Sequence, residues 1–298
     1  MLRLGIDLGG TKTELIALES NGEVLRRERR PTPSGNYGAI LETVHELISE
    51  TELSLGRKGS IGIATPGAVS ARTGLLKNSN TAVLNGKPLD RDLARRLGRE
   101  VRIENDANCF ALSEATDGAA AHGRVVFGVI LGTGVGGALI VDRQIVRGRN
   151  LIAGEWGHNP LPWARPDEQP GPPCYCGRSG CVETYLSGPG MSRDYHERSG
   201  TSQSPAAIVA SARGGEPLAG ASLRSYVDRL ARGLAAVINV LDPDVVVLGG
   251  GLSNIAELYR DVPPLLASYA FSDGVDTPVL RAKHGDSSGV RGAAWLWL

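Results

Sequence analysis

The stretch "LGIDLGG" (4–10) has an echo later in the chain, "FGVILGT" (127–133), at a constant offset of 123 residues. The segments that follow, "TKTELIAL" (11–18) and "GVGGALIV" (134–141), align at the same offset without a gap. Each copy reads as an apolar strand, a glycine turn and a second apolar strand. A repeated unit of this kind predicts a duplicated α/β frame, with its two glycine turns facing one cleft.

The rest of the chain fits such a frame. "EVLRRERRPTP" gives a third strand that ends in a proline-bounded loop. Tyr37, Ile40, Leu41, Val44, Leu47 and Ile48 recur at helical spacing and predict an amphipathic helix over 36–53. "GSIGIATPGAV" (59–69) is a buried strand running into a Pro-Gly turn, and "EVRIENDAN" (100–108) is a strand with a polar end. Residues 159–173, "NPLPWARPDEQPGPP", carry too much proline for regular structure. A long helix follows over 222–241, with Leu223, Tyr226, Leu230, Leu234, Val237 and Leu241 on one face. "DPDVVVLGGGLSN" (242–254) supplies a strand, three glycines and a helix start at Ser253, and "RGAAWLWL" predicts a terminal helix.

Composition excludes several classes of function. The chain has 298 residues, enough for two domains of ordinary size or one large one, and 41% of them are hydrophobic, sufficient for a sizeable core. Equal numbers of acidic and basic residues, 32 of each, leave no electrostatic footprint for nucleic acid or an anionic membrane. The uncharged run Val125 to Val141 reaches the lower limit of about 17 residues for a spanning helix. Its five glycines make a strand–turn–strand reading the better one. No charged region followed by an apolar signal core opens the chain, so a cytoplasmic location is expected.

Three glycine turns follow apolar strands: Gly9-Gly10, the run Gly132, Thr133, Gly134, Gly136 and Gly137, and Gly249-Gly250-Gly251. Without a Cβ, glycine lets backbone N–H groups approach a phosphate closely. Thr11 and Thr133 add hydroxyl donors, and Lys12 a cation or a solvent-facing strand residue. One such turn alone is an ordinary hairpin; three in a duplicated frame point to a nucleotide cleft. Neither a Walker loop nor a Rossmann fingerprint is present. Asp7 sits inside an apolar strand, where an unpaired charge is costly. Its partner is either hydrated Mg²⁺ beside the phosphates or the amides of the glycine turn.

"ENDANCF" (104–110) places Asn105 and Asp106 at a strand end. Phosphoryl transfer to an alcohol needs a carboxylate to accept the hydroxyl proton and a neighbour to orient the substrate. Asp106 suits the first task and Asn105 the second. The same residues also read as a cap before "FALSEA".

His158, Cys174, Cys176 and Cys181 form a separate constellation. One imidazole and three thiols favour tetrahedral Zn²⁺, and Gly177 and Gly180 let the chain wrap an ion. A Cys174–Cys176 disulfide would be strained, and three clustered cysteines do not make a spaced disulfide framework. Four protein ligands leave no open position, so the zinc is expected to be structural. Glu155 and Glu183 lie beside this knuckle and are suited to accepting hydrogen bonds from sugar hydroxyls; each alone also reads as a surface glutamate.

Together "GIDLGGTK" (5–12), "NDAN" (105–108), "ILGTGVGG" (130–137), "GEWGH" (154–158), "CYCGRSGCVE" (174–183) and "VLGGGLSN" (247–254) resemble the ROK family of sugar kinases and repressors, within the actin/hexokinase-like ATPase superfamily. The resemblance covers essentially the whole chain. It implies an α/β fold of two RNase H-like lobes with a nucleotide cleft between them. The first lobe is expected over 1–118, completed by a C-terminal helix over 283–298. The second is expected over 119–282, with the zinc loop at 154–183. The resemblance further implies that ATP phosphorylates a sugar 6-hydroxyl. Asp106 would be the base, and Asn105, Glu155, His158 and Glu183 would hold the sugar, His158 serving zinc as well. Asp7 would lie near Mg²⁺, Gly9, Gly10, Thr11, Lys12 and the 132–137 turn at the phosphates, and Gly249 to Gly251 by the adenosine. A homodimer is compatible with the family, but no sequence feature fixes the oligomeric state.

"AGEWGHNPLPW" (153–163) and "KHGDSSGVRGAAWLW" (283–297) look most like fructokinases of this family that also accept mannose, so fructose is the expected substrate. N-acetylglucosamine kinase and glucokinase share the motifs and are the alternatives. A sugar-sensing repressor is disfavoured, because the glycine hairpin begins by residue 5, where those regulators carry a helix-turn-helix.

Overall fold

In the computed structural model, which describes residues 1–79 and 81–297, the chain divides into two compact units. The first comprises Met1–Ala121, Arg143–Ala153 and the segment from Lys283; the second comprises His122–Asp142 and Gly154–Ala282.

The first unit is built on five strands in the order Val24–Pro31, Lys12–Leu18, Arg3–Leu8, Ser60–Thr65, Val101–Asn105. The first three strands of the sequence are antiparallel, whereas Ser60–Thr65 and Val101–Asn105 run parallel to Arg3–Leu8. Leu4, Ile6, Leu8, Leu15, Ile61 and Ile63 are buried together with the inner face of the helix Tyr37–Leu55. That helix starts where Asn36 accepts a hydrogen bond from Ala39 N and stops at Gly56, which has φ 67°. The short helix Ser288–Ala294 packs on the first strand so closely that a Cβ on Gly5 would lie 2.1 Å from the Val290 carbonyl oxygen. The helix expected from "RGAAWLWL" therefore starts earlier and gives way to a tighter turn, Trp295–Trp297; its last residue, Leu298, lies outside the described residues.

The second unit repeats the arrangement. Its strands run Val135–Val141, Val125–Leu131, Val245–Gly249, Val279–Arg281, with the first pair antiparallel and the rest parallel. The uncharged run 125–141 is thus a hairpin, and among the described residues no helix is long and apolar enough to cross a membrane. The gapless alignment of the two hairpins needs one correction. Leu8 pairs with Thr13, but its counterpart Leu131 pairs with Val135, so the second turn is one residue shorter. The match of second strands in "TKTELIAL" and "GVGGALIV" consequently slips by one, which a run of small residues conceals.

Two further boundaries differ from expectation. The long helix spans Pro217–Leu241 because Glu216 caps it, accepting from Leu218 N and Ala219 N, and Pro217 takes the first position. The sequence periodicity only begins at Leu223. Ser253 does not start an α-helix: it lies in the turn Gly251–Asn254, where its hydroxyl donates back to the Gly250 carbonyl at 2.7 Å.

Candidate active-site residues and the cysteine knuckle

Strand register gathers the first group of candidate residues. Asp7 is level with Ala64, and Ala64 with Glu104, so three parallel strands end side by side. Gly9, Gly67 and the Asn105-Asp106 pair all follow at this carboxyl-terminal edge, the edge at which open α/β sheets bind ligands. Gly9 N donates to Lys12 O at 3.0 Å, closing the turn that displays Gly10 and Thr11, while Thr32 holds it from behind by donating to Gly9 O.

Asp7 carries an unresolved charge. Burial, then the negative charges of Asp106 and Glu14, push its carboxyl from 3.8 up to about 6. Glu14 is itself neutralised by Arg27 and by Arg29, the latter at 2.6 Å. No hydrogen bond to the Asp7 carboxylate is formed among the described residues, which removes the glycine-turn amides as its partner. A partly dehydrated carboxylate beside a second acid suits a hydrated divalent cation.

Asn105 and Asp106 do both things the sequence allowed. Asn105 caps the helix Asp106–Thr116, its Oδ1 accepting from Ala107 N at 2.9 Å and Asn108 N at 3.4 Å. Its Nδ2 donates to Gly67 O at 3.1 Å. Capping thus uses the amide oxygen and leaves one N–H for a substrate. Asp106 opens the helix, where the macrodipole favours negative charge.

A supporting residue went unnoticed in the sequence. Glu104, 9% exposed, accepts from Asn108 Nδ2 at 2.9 Å and from Asn105 N at 3.0 Å through one oxygen. Its other oxygen accepts from Arg147 Nε at 2.6 Å. The only signal was a carboxylate directly before Asn-Asp; its cation lies 43 residues away.

In the second unit, the four metal-ligand candidates converge. The ligand atoms of His158, Cys174, Cys176 and Cys181 all lie within 4.8 Å of one another. Cys176 and Cys181 Sγ are 3.6 Å apart, and Cys174 Sγ lies 3.6 Å from His158 Nδ1. Tetrahedral zinc with bonds of 2.3 Å sets ligand edges of about 3.8 Å, so the donor set fits a zinc ion. The wrap is made by Gly177 at φ 87° and Gly180 at φ 70°. Cys109 is buried in the other unit and takes no part.

The three sugar-side candidates of this unit cluster beside the knuckle. His158 turns Nδ1 to the sulfurs and Nε2 to Tyr175 Oη, 3.0 Å away. The Tyr175 phenol is pushed up by lost solvation at the hydroxyl and by the negative charges of Glu183, Cys174 and Glu155. Glu155, His158 and Glu183 therefore share the neighbourhood of one hydroxyl group. Tyr175 occupies a position that sequence reading passed over as a spacer between cysteines.

Glu183 also meets the second glycine turn. Its Oε2 accepts from Val135 N at 2.9 Å, and a Cβ on Gly134 would lie 2.7 Å from the same oxygen. Gly132, Thr133 and Gly134 form the turn proper. Gly136 and Gly137 lie within the strand, where Trp156 Nε1 donates to Gly136 O at 3.0 Å and a Cβ on Gly137 would strike the indole. Packing against Trp156 leaves no room for a side chain at Gly137. Gly249 ends its strand level with Ile130, and Gly250, at φ 81°, approaches the Leu131 carbonyl, so the third glycine run reaches the same sheet edge as Gly132.

Two repeats of a hairpin with parallel strands added on one side define the actin/hexokinase-like ATPase fold. The ROK family pattern matches residues 3–298, and the chain belongs to the ROK family. It is 42% identical over 298 residues to an N-acetyl-D-glucosamine kinase of Yersinia enterocolitica, covering 99% of this chain and 98% of that one. A kinase of the same name from Pectobacterium atrosepticum is also 42% identical, with the same coverage. Among solved structures, the ROK hexokinase of Thermus thermophilus superposes with a TM-score of 0.88 at 30% identity, covering 99% of this chain and 97% of that one. A ROK glucokinase from Streptomyces griseus, in complex with glucose and AMPPNP, gives 0.76 at 28%, with 99% of each chain covered. The fructokinase likeness expected from 153–163 and 283–297 finds no support in these relatives, the two at 42% identity being named as kinases of N-acetyl-D-glucosamine, the sugar of one stated alternative.

Proposed function

We propose that this chain is an ATP-dependent kinase that phosphorylates N-acetyl-D-glucosamine at its 6-hydroxyl. The observation that carries the substrate is the end-to-end 42% identity to kinases of that sugar. A sugar kinase of some kind is supported by the family, by the acid and glycine-turn residues at one sheet edge of the first unit, and by the glycine-turn and knuckle residues of the second.

In this reading Asp106 accepts the proton of the 6-hydroxyl as its oxygen forms a bond to the γ-phosphorus. The bond to the bridging oxygen breaks, ADP leaves, and the sugar 6-phosphate remains. Glu104, clamped by Arg147, and Asn105, clamped by Gly67, hold the backbone that presents Asp106. Glu155, His158, Glu183 and the remaining Asn105 N–H bind sugar hydroxyls. The amides of Gly10 and Thr11 and of the Gly132–Gly134 turn bind phosphate oxygens, and Gly249 to Gly251 border the adenosine. Asp7 would help to hold a hydrated Mg²⁺, which would supply charge neutralisation at the nucleotide phosphates. His158, Cys174, Cys176 and Cys181 would hold a zinc ion, which would supply rigidity rather than a catalytic position.

The test is kcat/KM on N-acetylglucosamine, glucose, mannose and fructose under identical conditions. N-acetylglucosamine is expected to lead by about ten-fold or more, a difference of roughly 1.4 kcal/mol in transition-state binding. A lead for fructose would replace this substrate with the one the sequence motifs first indicated.

A further inference from the structure

An open pocket of about 550 Å³ lies in the first unit, lined by Ser70, Ala71, Arg72, Lys77, Arg149 and Asn150. It falls within the size range of small-molecule sites, roughly 300–1,000 Å³. Three of its six lining residues are cations and none is an acid. Most arginines of this charge-balanced chain are paired with carboxylates, from Arg26 near one end to Arg291 near the other. Among the described residues neither Arg72, Lys77 nor Arg149 makes an ion pair. Three like charges converging on one concavity repel one another unless an anion is present.

Both walls of the pocket are tied to the same strand end. The first wall is the tip of the hairpin formed by Ala68–Val69 and Leu76–Lys77, which begins next to Gly67, the residue that receives Asn105 Nδ2. The second wall belongs to the segment Arg143–Ala153, anchored two residues before Arg149 by the Arg147–Glu104 ion pair. An anion drawing Arg72 and Arg149 together would therefore bear on the supports of the Asn105-Asp106 corner from both sides.

We propose that this pocket is a binding site for the phosphate group of a phosphorylated small molecule. Arginine forks match phosphate oxygens in pairs, and Lys77 adds a point charge. Ser70 and Asn150 supply the neutral donors and acceptors that a sugar moiety needs, so a sugar phosphate fits the lining better than a bare phosphate. That the natural ligand is the chain's own class of product, a phosphorylated amino sugar, rests on the kinase reading; the pocket's taste for phosphate does not.

The experiment is direct binding to the full-length zinc-loaded protein by calorimetry, without nucleotide. The probes are N-acetylglucosamine 6-phosphate, tripolyphosphate, inorganic phosphate and uncharged N-acetylglucosamine. The same titrations are run on the double variant Arg72→Gln/Arg149→Gln, with circular dichroism to show that it folds. At least one phosphate-bearing probe is expected to bind the wild type and to weaken about ten-fold or more in the variant, as loss of charged hydrogen bonds implies. That binding should also weaken as salt is raised, while uncharged N-acetylglucosamine behaves alike in both proteins. A sugar phosphate that outcompetes the two inorganic probes identifies the product class as ligand, and a preference for tripolyphosphate identifies an inorganic polyanion. Equal binding of every phosphate probe by wild type and variant, or no binding at millimolar concentration, overturns the site. Because no turnover is measured, a failed kinase reading would leave this result intact.

Discussion

Tyr175 Oη lies 3.0 Å from His158 Nε2, the ring nitrogen that faces away from the cysteine sulfurs. Any sugar hydroxyl bound by His158 must take the place of this phenol. Tyr175 is 83% exposed, and this bond and the edge contact of the two rings, 5.1 Å between centroids, tie it to His158.

Tyr175→Phe keeps the ring contact and removes the competing hydroxyl. The expected outcome is a lower KM for the sugar, by about three- to ten-fold for one neutral hydrogen bond, with kcat changed less than two-fold. A raised KM would mean that Tyr175 binds the sugar itself.

Asp106→Asn separates chemistry from folding, because asparagine at the first helical position keeps the shape of the side chain. Turnover should fall by roughly two to four orders of magnitude, with sugar affinity retained in a binding assay. Near-normal turnover would remove Asp106 as the base.

The strands and the knuckle were legible in the sequence because their causes are local. Alternating or continuous apolar residues specify strands, and Gly177 and Gly180 adopt the positive φ that the wrap requires. Asn105 as a cap was legible from residue type. The partners of Glu104 and Glu168 were not, since a carboxylate in a sequence does not indicate which distant arginine will meet it. Arg147 is 43 residues from Glu104, and Arg232 is 64 from Glu168. The one-residue difference between the hairpin turns was hidden for another reason: among glycines and small apolar residues, a shifted match looks as good as the true one.

Removal of zinc should act on the second unit first. The four ligand side chains sit on two segments, 154–158 and 174–181, joined among the described residues through side chains, such as Cys181 Sγ donating to His158 O at 3.6 Å and His158 Nε2 meeting Tyr175 Oη at 3.0 Å. Chelation is expected to expose 154–183 to protease and abolish sugar binding, and stoichiometric zinc should restore both. Active protein with well under one zinc per chain would count against a structural ion.

Asp7 makes a prediction about pH. Its carboxyl is at about 6 when folded, against an ordinary 3.8, so the folded state holds the proton more tightly than the unfolded chain. The associated stability is present below pH 3.8 and is lost as pH rises through 6, amounting to about 3 kcal/mol. Asp7→Asn should therefore be more stable than the wild type at pH 7.5 without nucleotide, with the gap shrinking towards pH 4.5. Thermal unfolding of both proteins across that range checks it; a gap independent of pH would show that Asp7 is not held in this state.

Glu168 anchors the proline-rich loop from below. It is buried, and burial alone would raise its carboxyl, but hydrogen bonds from Arg232 and Arg229 outweigh this and hold it at about 2. Arg232, 1% exposed, also donates to Trp163 O at 2.9 Å, and Trp163 has a left-handed backbone at φ 48° that a bulky residue adopts only under constraint. The pairing contributes stability above pH 4.5 that is lost as pH falls towards 2. Glu168→Ala leaves two buried guanidinium groups short of a partner, at a cost of about 3–5 kcal/mol. The loop should loosen with them, so chymotrypsin should cut at Trp163 faster in the variant than in the wild type under native conditions. A variant that melts within a degree or two of the wild type and resists cleavage equally would show that the proline-rich segment holds its shape without the arginine clamp.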